Sequence, residues 1–234
     1  IFIVNCSKPS ECIESAGSDV VKEVVLPSFS KIKVHNNISL IITEGNIQKI
    51  EIKTGSNLID NIEVTLENDM LVLKDKTTCN WVREYGETKV YVTVPNLEDI
   101  ICKTQKDIIS NGVLHFPLLR LNAMDLTDGA GTGNFNLNID NAQTEIFANN
   151  VANFYITGKT NIFMANFYEG DGRIEAQNFM ANHITVFHRG SNDMILYPLN
   201  SLTGTIYSTG NVVLKNNSII TPNVTELFTG RLII

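Results

Sequence analysis

The sequence predicts an all-β fold organised as a β-solenoid, and three observations carry that reading. Glycine or asparagine recurs every twenty residues at Asn150, Gly170, Gly190, Gly210 and Gly230, a period that marks stacked coils. Three positions earlier in each unit stand Phe147, Phe167, Phe187, Tyr207 and Leu227. Between these turns the β-branched and aromatic residues fall in short runs, which suits strands and not amphipathic helices.

Size and composition agree. The chain has 234 residues, enough for one full core or two small ones. Hydrophobic residues make up 43%, charged residues 18%, and the net charge is −7. Such an acidic balance excludes a nucleic-acid binder, and Lys159, Arg173, Arg189, Lys215 and Arg231 are too few for a nucleic-acid surface. After residue 5 no apolar run reaches the length of a membrane-spanning helix.

Residues 1–19 read as a leader and tether. Ile1-Phe2-Ile3-Val4-Asn5-Cys6 resembles the tail of a signal segment with a bacterial lipobox, which makes Cys6 the lipidated N-terminus. Asn5 departs from the usual small residue there, and an edge strand or a tag scar is the competing reading. The polar stretch Ser7–Ser18 then suits a flexible tether; Lys8 and Glu11 lean towards export to the surface, with a periplasm-facing position equally open. Of the remaining cysteines, Cys102 lies in an apolar run and is expected to be buried. Cys12 and Cys79, both in polar segments, form the better disulfide pair for an exported chain, with two free thiols as the alternative. No Cys/His spacing suggests a metal site.

From 20 to 94 the pattern alternates, as half-buried strands do. Ser39–Thr43 and Lys49–Lys53 flank Glu44-Gly45-Asn46, and Ile62–Leu66 and Met70–Leu73 flank Glu67-Asn68-Asp69. Both read as hairpins. Lys89–Val94 alternates until Pro95 ends it. The result is an antiparallel-looking, hairpin-rich module before a solenoid spanning 95–234, with 20–234 one continuous unit.

In the solenoid, Pro95-Asn96-Leu97 and Pro117-Leu118-Leu119 lie 22 residues apart before the spacing settles to 20. At that spacing one inward column reads Asn134, Phe154, Ile174, Met194, Leu214. A second reads Thr144, Met164, Ile184, Gly204, Val224, and a third Ile146, Asn166, Val186, Ile206, Glu226. Phe147, Phe167, Phe187 and Tyr207 should stack at a corner. The turn positions 150, 170, 190, 210 and 230 should share a corner, most with positive φ, which glycine and asparagine tolerate best. Seventeen asparagines between 131 and 234 fit turns whose backbone groups need partners.

Phe29-Ser30-Lys31-Ile32-Lys33-Val34, Tyr91-Val92-Thr93-Val94-Pro95-Asn96-Leu97, and the turns Gly131-Thr132-Gly133 and Gly190-Ser191 resemble the autotransporter adhesin head GIN domain family of Bacteroidetes-type bacteria. The likeness spans roughly residues 20–234 as many weak motifs, and few Gly-Ser-Gly triplets are intact. It implies a right-handed β-helical superhelix, no known catalytic residues and an envelope location.

The expectation for function is therefore a non-catalytic binding or adhesion scaffold, lipid-anchored at the outer membrane. Its partner would be a glycan or a cell-surface protein; no cofactor is implied, and homo-oligomers stay open. Exposed aromatics suit sugar binding, and Trp81, Tyr85, Tyr155, Tyr168 and Tyr197 are the candidates; Trp81–Tyr85 equally reads as a cap over the core. The alternative is a polysaccharide-processing enzyme of the pectin-lyase-like β-helix kind. Its best cluster is Asp171 and Asp193 with Arg173 and Arg189, against turn residues facing water. His183 and His188 lie five apart on one strand and so face opposite sides; His115 has no evident partner.

Overall fold

The computed structural model describes residues 16–77, 88–125, 129, 131–216 and 220–234. These residues contain no α-helix, and a 3-10 turn at Ile59–Asn61 joins two strands. Among them no helix is long and apolar enough to cross a membrane. All the strands belong to one hydrogen-bonded sheet that coils on itself, a β-solenoid of about six turns.

Two parallel ladders form its walls. The first stacks β6 (Met70–Asp75), β2 (Lys31–His35), β8 (Asp99–Lys103), β10 (Leu118–Ala123) and the second halves of β11 (Phe135–Ala148), β12 (Asn153–Phe167), β13 (Arg173–His188) and β14 (Met194–Ile206), ending at β16 (Asn223–Glu226). The second stacks β7 (Thr88–Val94), β3 (Ile38–Glu44), β9 (Ile108–Leu114), the first halves of β11 to β14, then β15 (Val212–Leu214) and β17 (Leu232–Ile233). Because side chains alternate across a strand, each ladder sends every second residue inward. In the second ladder Val90, Leu40, Ile108, Phe135, Phe154, Ile174, Met194 and Val212 lie over one another, all at 0% exposure. That column is the spine of the core.

The hairpin expected at Glu67-Asn68-Asp69 forms. β5 (Ile62–Glu67) pairs antiparallel with β6, and Asn68 (φ 47°) and Asp69 (φ 67°) take the left-handed conformations a tight turn requires. The one expected at Glu44-Gly45-Asn46 does not. β7 lies between β3 and β4 (Lys49–Gly55), parallel to the first and antiparallel to the second. The reason is burial. Ile38, Ser39, Leu40 and Ile42 of β3 are buried, and the strand has a neighbour on each edge, β7 and β9. β4 carries Lys49, Glu51 and Lys53 outward and suits the end of the stack. There β1 (Asp19–Val24) pairs antiparallel with it, with Lys53 Nζ 3.4 Å from Asp19 Oδ2 and Lys49 Nζ 2.9 Å from Glu51 Oε1. The layer of β2 and β3 is thus the second of the stack, beneath β8 and β9, and the chain returns to build the first afterwards.

The coils are not of one length. Along the second ladder, partners fall at 135, 154, 174, 194, 212 and 232; along the first, at 146, 165, 186, 204 and 224. The period of twenty is the commonest among steps that run from 18 to 21. This corrects the expected columns. Phe154, Ile174 and Met194 do align, but their outer partners are Phe135 and Val212, not Asn134 and Leu214. Thr144 stacks with Phe163 and Ile184, whereas Gly204 stacks with Val186 and Val224. Ile146 and Val186 share a column through Ala165, not Asn166, and Ile206 lies over Glu226 in the next one.

The aromatic column divides for the same reason. Phe167 partners Ala148 and turns inward, its ring 6.0 Å from Phe154 and 5.9 Å from His188. Phe187 and Tyr207 stay outside, 4.8 Å apart, with Tyr168 5.4 Å from Phe187. The turn glycines do gather at one corner, but only Gly170 there has positive φ, at 90°. Elsewhere close approach is the constraint: a Cβ on Gly210 would sit 2.2 Å from the Asn192 carbonyl oxygen, and one on Gly230 2.2 Å from that of Gly210. Asn150 acts through its side chain. It donates to Asp125 Oδ1 (2.9 Å) and the Gly131 carbonyl (2.8 Å) and accepts from the Ala152 amide (2.9 Å).

Candidate functional site

The longest step, from Ala165 to Val186, has a local cause in β13. Tyr155 pairs with Glu175 and Thr157 with Asn178, so β13 has three residues where β12 has two; against β14 the excess is larger, since Glu175 pairs with Ile195 and Met180 with Tyr197, five residues against two. The extra chain is a bulge, and it is anchored. Ala176 and Phe179 are fully buried, and the Phe179 ring meets Phe163 edge-on at 5.3 Å. Gln177 and Asn178 between them face outward. A bulge that keeps its apolar ends in the core and re-aims its middle is the usual way a sheet departs from regularity at a site.

The consequence is an open shelf of about 620 Å³ on the outer face of the second ladder, lined by Arg173, Glu175, Gln177, Asn178, Tyr197 and Lys215, with Ile195 beneath. Tyr155 lies in the adjoining layer, directly beside Glu175 in the ladder, and is 43% exposed. Two of the aromatics singled out in the sequence, Tyr155 and Tyr197, therefore belong to one face.

Charge on the shelf is organised around Arg173. Its Nε donates to Glu175, its Nη1 donates to Asn192 Oδ1 at 2.9 Å and lies 3.5 Å from Asp193 Oδ2. The bond to Glu175, with the nearby carboxylate charges, raises the guanidinium pKa further above its ordinary value. Lys215 forms no ion pair among the described residues. The shelf thus presents planar amides, a phenol, a clamped ion pair and one uncompensated ammonium.

The acids do not assemble for catalysis. Asp193 Oδ1 accepts from the backbone and side-chain nitrogens of Asn211 at 3.1 and 3.0 Å, while its other oxygen faces Arg173. Asp171, exposed on the preceding turn, accepts from Ser191 Oγ at 2.7 Å, and Arg189 is exposed. Among the described residues Arg173 pairs with Asp193, and no ion pair or side-chain hydrogen bond joins Asp171 or Arg189 to them.

The histidines separate as expected. His183 is exposed, its Nδ1 2.9 Å from Ser201 Oγ, and His188 is wholly buried. Burial holds the His188 pKa below the ordinary 6.5, with the Asn192 backbone pulling the other way. His115, which the sequence left unpartnered, has Nδ1 3.2 Å from Glu44 Oε2. Among the described residues no group of His, Cys, Asp and Glu could hold a metal ion. Cys102 is buried and free, and burial pushes its thiol up to about 11, so it is chemically quiet. Cys6, Cys12, Cys79, Trp81 and Tyr85 lie outside the described residues.

Tyr168 belongs elsewhere, to the outer corner, where it, Phe187 and Tyr207 form a half-exposed staircase. Those rings meet at tilts of 44° and 42°. The sequence missed Gln177, Asn178 and Lys215. The signal that could have found them was the extra residue between Ala165 and Val186, hidden by assuming a constant period.

The described residues thus form a β-solenoid with a regular core and an irregular, polar outer shelf. The chain belongs to the family described as "Putative auto-transporter adhesin, head GIN domain", whose profile matches residues 28–218. Solved structures agree on the fold. It resembles a putative adhesin from Bacteroides fragilis NCTC 9343 (TM-score 0.81, 19% identity, 92% of this chain and 96% of that one). It also resembles a putative adhesin from Parabacteroides merdae ATCC 43184 (TM-score 0.66, 18% identity, 94% and 98%). A third is a putative lipid binding protein from Parabacteroides distasonis ATCC 8503 (TM-score 0.64, 13% identity, 95% and 99%). No curated protein matches the chain.

Proposed function

We propose that this chain is a non-catalytic binding scaffold of the cell envelope, and that the shelf on β13 and β14 is where it holds a glycan. The observation that carries the reading is the anchored bulge. Phe179 and Ala176 fix it, and Gln177, Asn178, Arg173 and Glu175 then offer hydrogen bonds in several directions beside the Tyr197 ring. Planar polar groups next to an aromatic face suit a sugar, whose hydroxyls need donors and acceptors and whose C–H face packs on a ring. The family name and the adhesin names of the structural neighbours support a surface binding role.

The lipid-binding name of one neighbour favours a second ligand class, but a shelf this open and polar lacks the enclosed apolar volume an acyl chain fills. A polysaccharide-cleaving activity loses its best support, since Glu175 and Asp193 are both held by Arg173 and Asp171 bonds to Ser191 instead. The location we infer is lipid anchorage through Cys6, with Cys12 bridged to Cys79. Cys6→Ala should release the protein from membrane fractions, and non-reducing peptide mapping should recover the bridge.

A glycan array read for binding, with the supernatants assayed for cleavage products, tests the function. Binding without turnover that is lost in Tyr197→Ala is the expected result. Turnover, or binding that Tyr197→Ala leaves intact, would refute it.

A further inference from the structure

Resting on the reading of the shelf as a glycan site, we infer that its ligand carries carboxylates: a uronic-acid sugar and not a neutral one. The argument is the charge balance of the lining. Arg173 has acidic neighbours on two sides, Glu175 at Nε and Asp193 at Nη1. Its Nη1 and Nε are occupied, which leaves Nη2 free to donate. Glu175 gives only its Oε1 to the same pair. Lys215, on the layer above, has no carboxylate partner among the described residues and lines the same cavity.

One ammonium without a counterion is ordinary on a basic surface. Here the chain carries a net charge of −7, and Lys215 differs from the other cations without an ion pair among the described residues, Lys22, Lys31, Lys74, Lys106 and Arg189, in lining the shelf beside Arg173. An unmatched cation inside a shaped shelf therefore supplies a charge for the ligand to match. A sugar ring lying on Tyr197 would set a ring carboxylate towards Lys215 Nζ and Arg173 Nη2, with its hydroxyls towards Gln177, Asn178 and Glu175. The overall negative charge repels acidic polymers at long range, so this affinity is short-ranged and salt-sensitive.

The experiment measures binding of a fluorescent oligogalacturonate and of its carboxyl-reduced counterpart to the wild-type protein, Lys215→Gln and Tyr197→Ala, each variant checked for an unchanged melting temperature. The expected result is tighter binding of the oligogalacturonate, weakened by about tenfold in Lys215→Gln, the loss of one charge-assisted hydrogen bond. Tyr197→Ala should abolish it. If both oligomers bind equally, are lost with Tyr197→Ala and ignore Lys215→Gln, the acidic-ligand inference is overturned while the glycan shelf stands. If neither oligomer binds, or Tyr197→Ala leaves binding intact, both fall.

Discussion

The inner and outer faces of the second ladder are built from the same strands and obey opposite rules. Inward, Phe135, Phe154, Ile174 and Met194 keep one column through four coils, with every ring and chain fully buried. Outward, at the same layers, β13 departs from its neighbour by three extra residues and opens the shelf. The difference shows where a solenoid can afford irregularity. A slip inside would place a polar residue over Phe154, whereas a bulge outside only needs its two ends anchored.

The comparison can be broken from the inside first. Phe154→Ala removes a ring that stacks on Phe135 at 4.7 Å and touches Phe167. It should cost about 3–5 kcal/mol, seen as a lower urea midpoint. Tyr197→Ala, on the outer face, should stay within about 1 kcal/mol in the same titration and lose ligand. Equal losses would mean that the shelf is part of the structural core.

Two glycines sharpen the same contrast. Gly230→Ala would drive a Cβ to 2.2 Å from the Gly210 carbonyl oxygen, and the coils must part to admit it. Gly112→Ala, at φ 97° with nothing within 4 Å, meets only backbone strain, of order 1 kcal/mol. The melting temperature should therefore fall further for Gly230→Ala.

The smallest effect is in pH. His188 replaces an apolar residue in the inward column next to Phe167 and Ile206, and folding lowers its pKa by burial, with the Asn192 backbone and then Asp193 pulling the other way. Between its folded pKa and 6.5 the unfolded chain binds more protons, so stability is full above 6.5 and declines as pH falls below it. His188→Leu should flatten that part of the melting profile. An unchanged slope would assign the acid sensitivity to other groups.

Much of this was legible in the sequence, for a physical reason. Stacked coils repeat the same local problem, so turn residues such as Gly170, Gly210 and Gly230 recur, and strands declare themselves by alternation. Pairing order was not legible. Nothing local in Ser39–Thr43 and Lys49–Lys53 says that β7, fifty residues beyond its partners in β3, will lie between them; the burial of β3 decides it. The shelf was half legible. Tyr155 and Tyr197 stood out by type, but Gln177 and Asn178 depend on a change of coil length, which a fixed period averages away. Phe167 was misplaced by that same averaging, and so was read as a corner residue when it belongs to the core.

The most direct test of the shelf is a residue-resolved one. Amide chemical shifts of the isotope-labelled protein, followed as an oligogalacturonate is titrated, should move chiefly at Arg173–Asn178, Ile195–Tyr197 and Lys215. Shifts concentrated instead at the Tyr168–Phe187–Tyr207 staircase, or spread over the coils without a centre, would contradict the account.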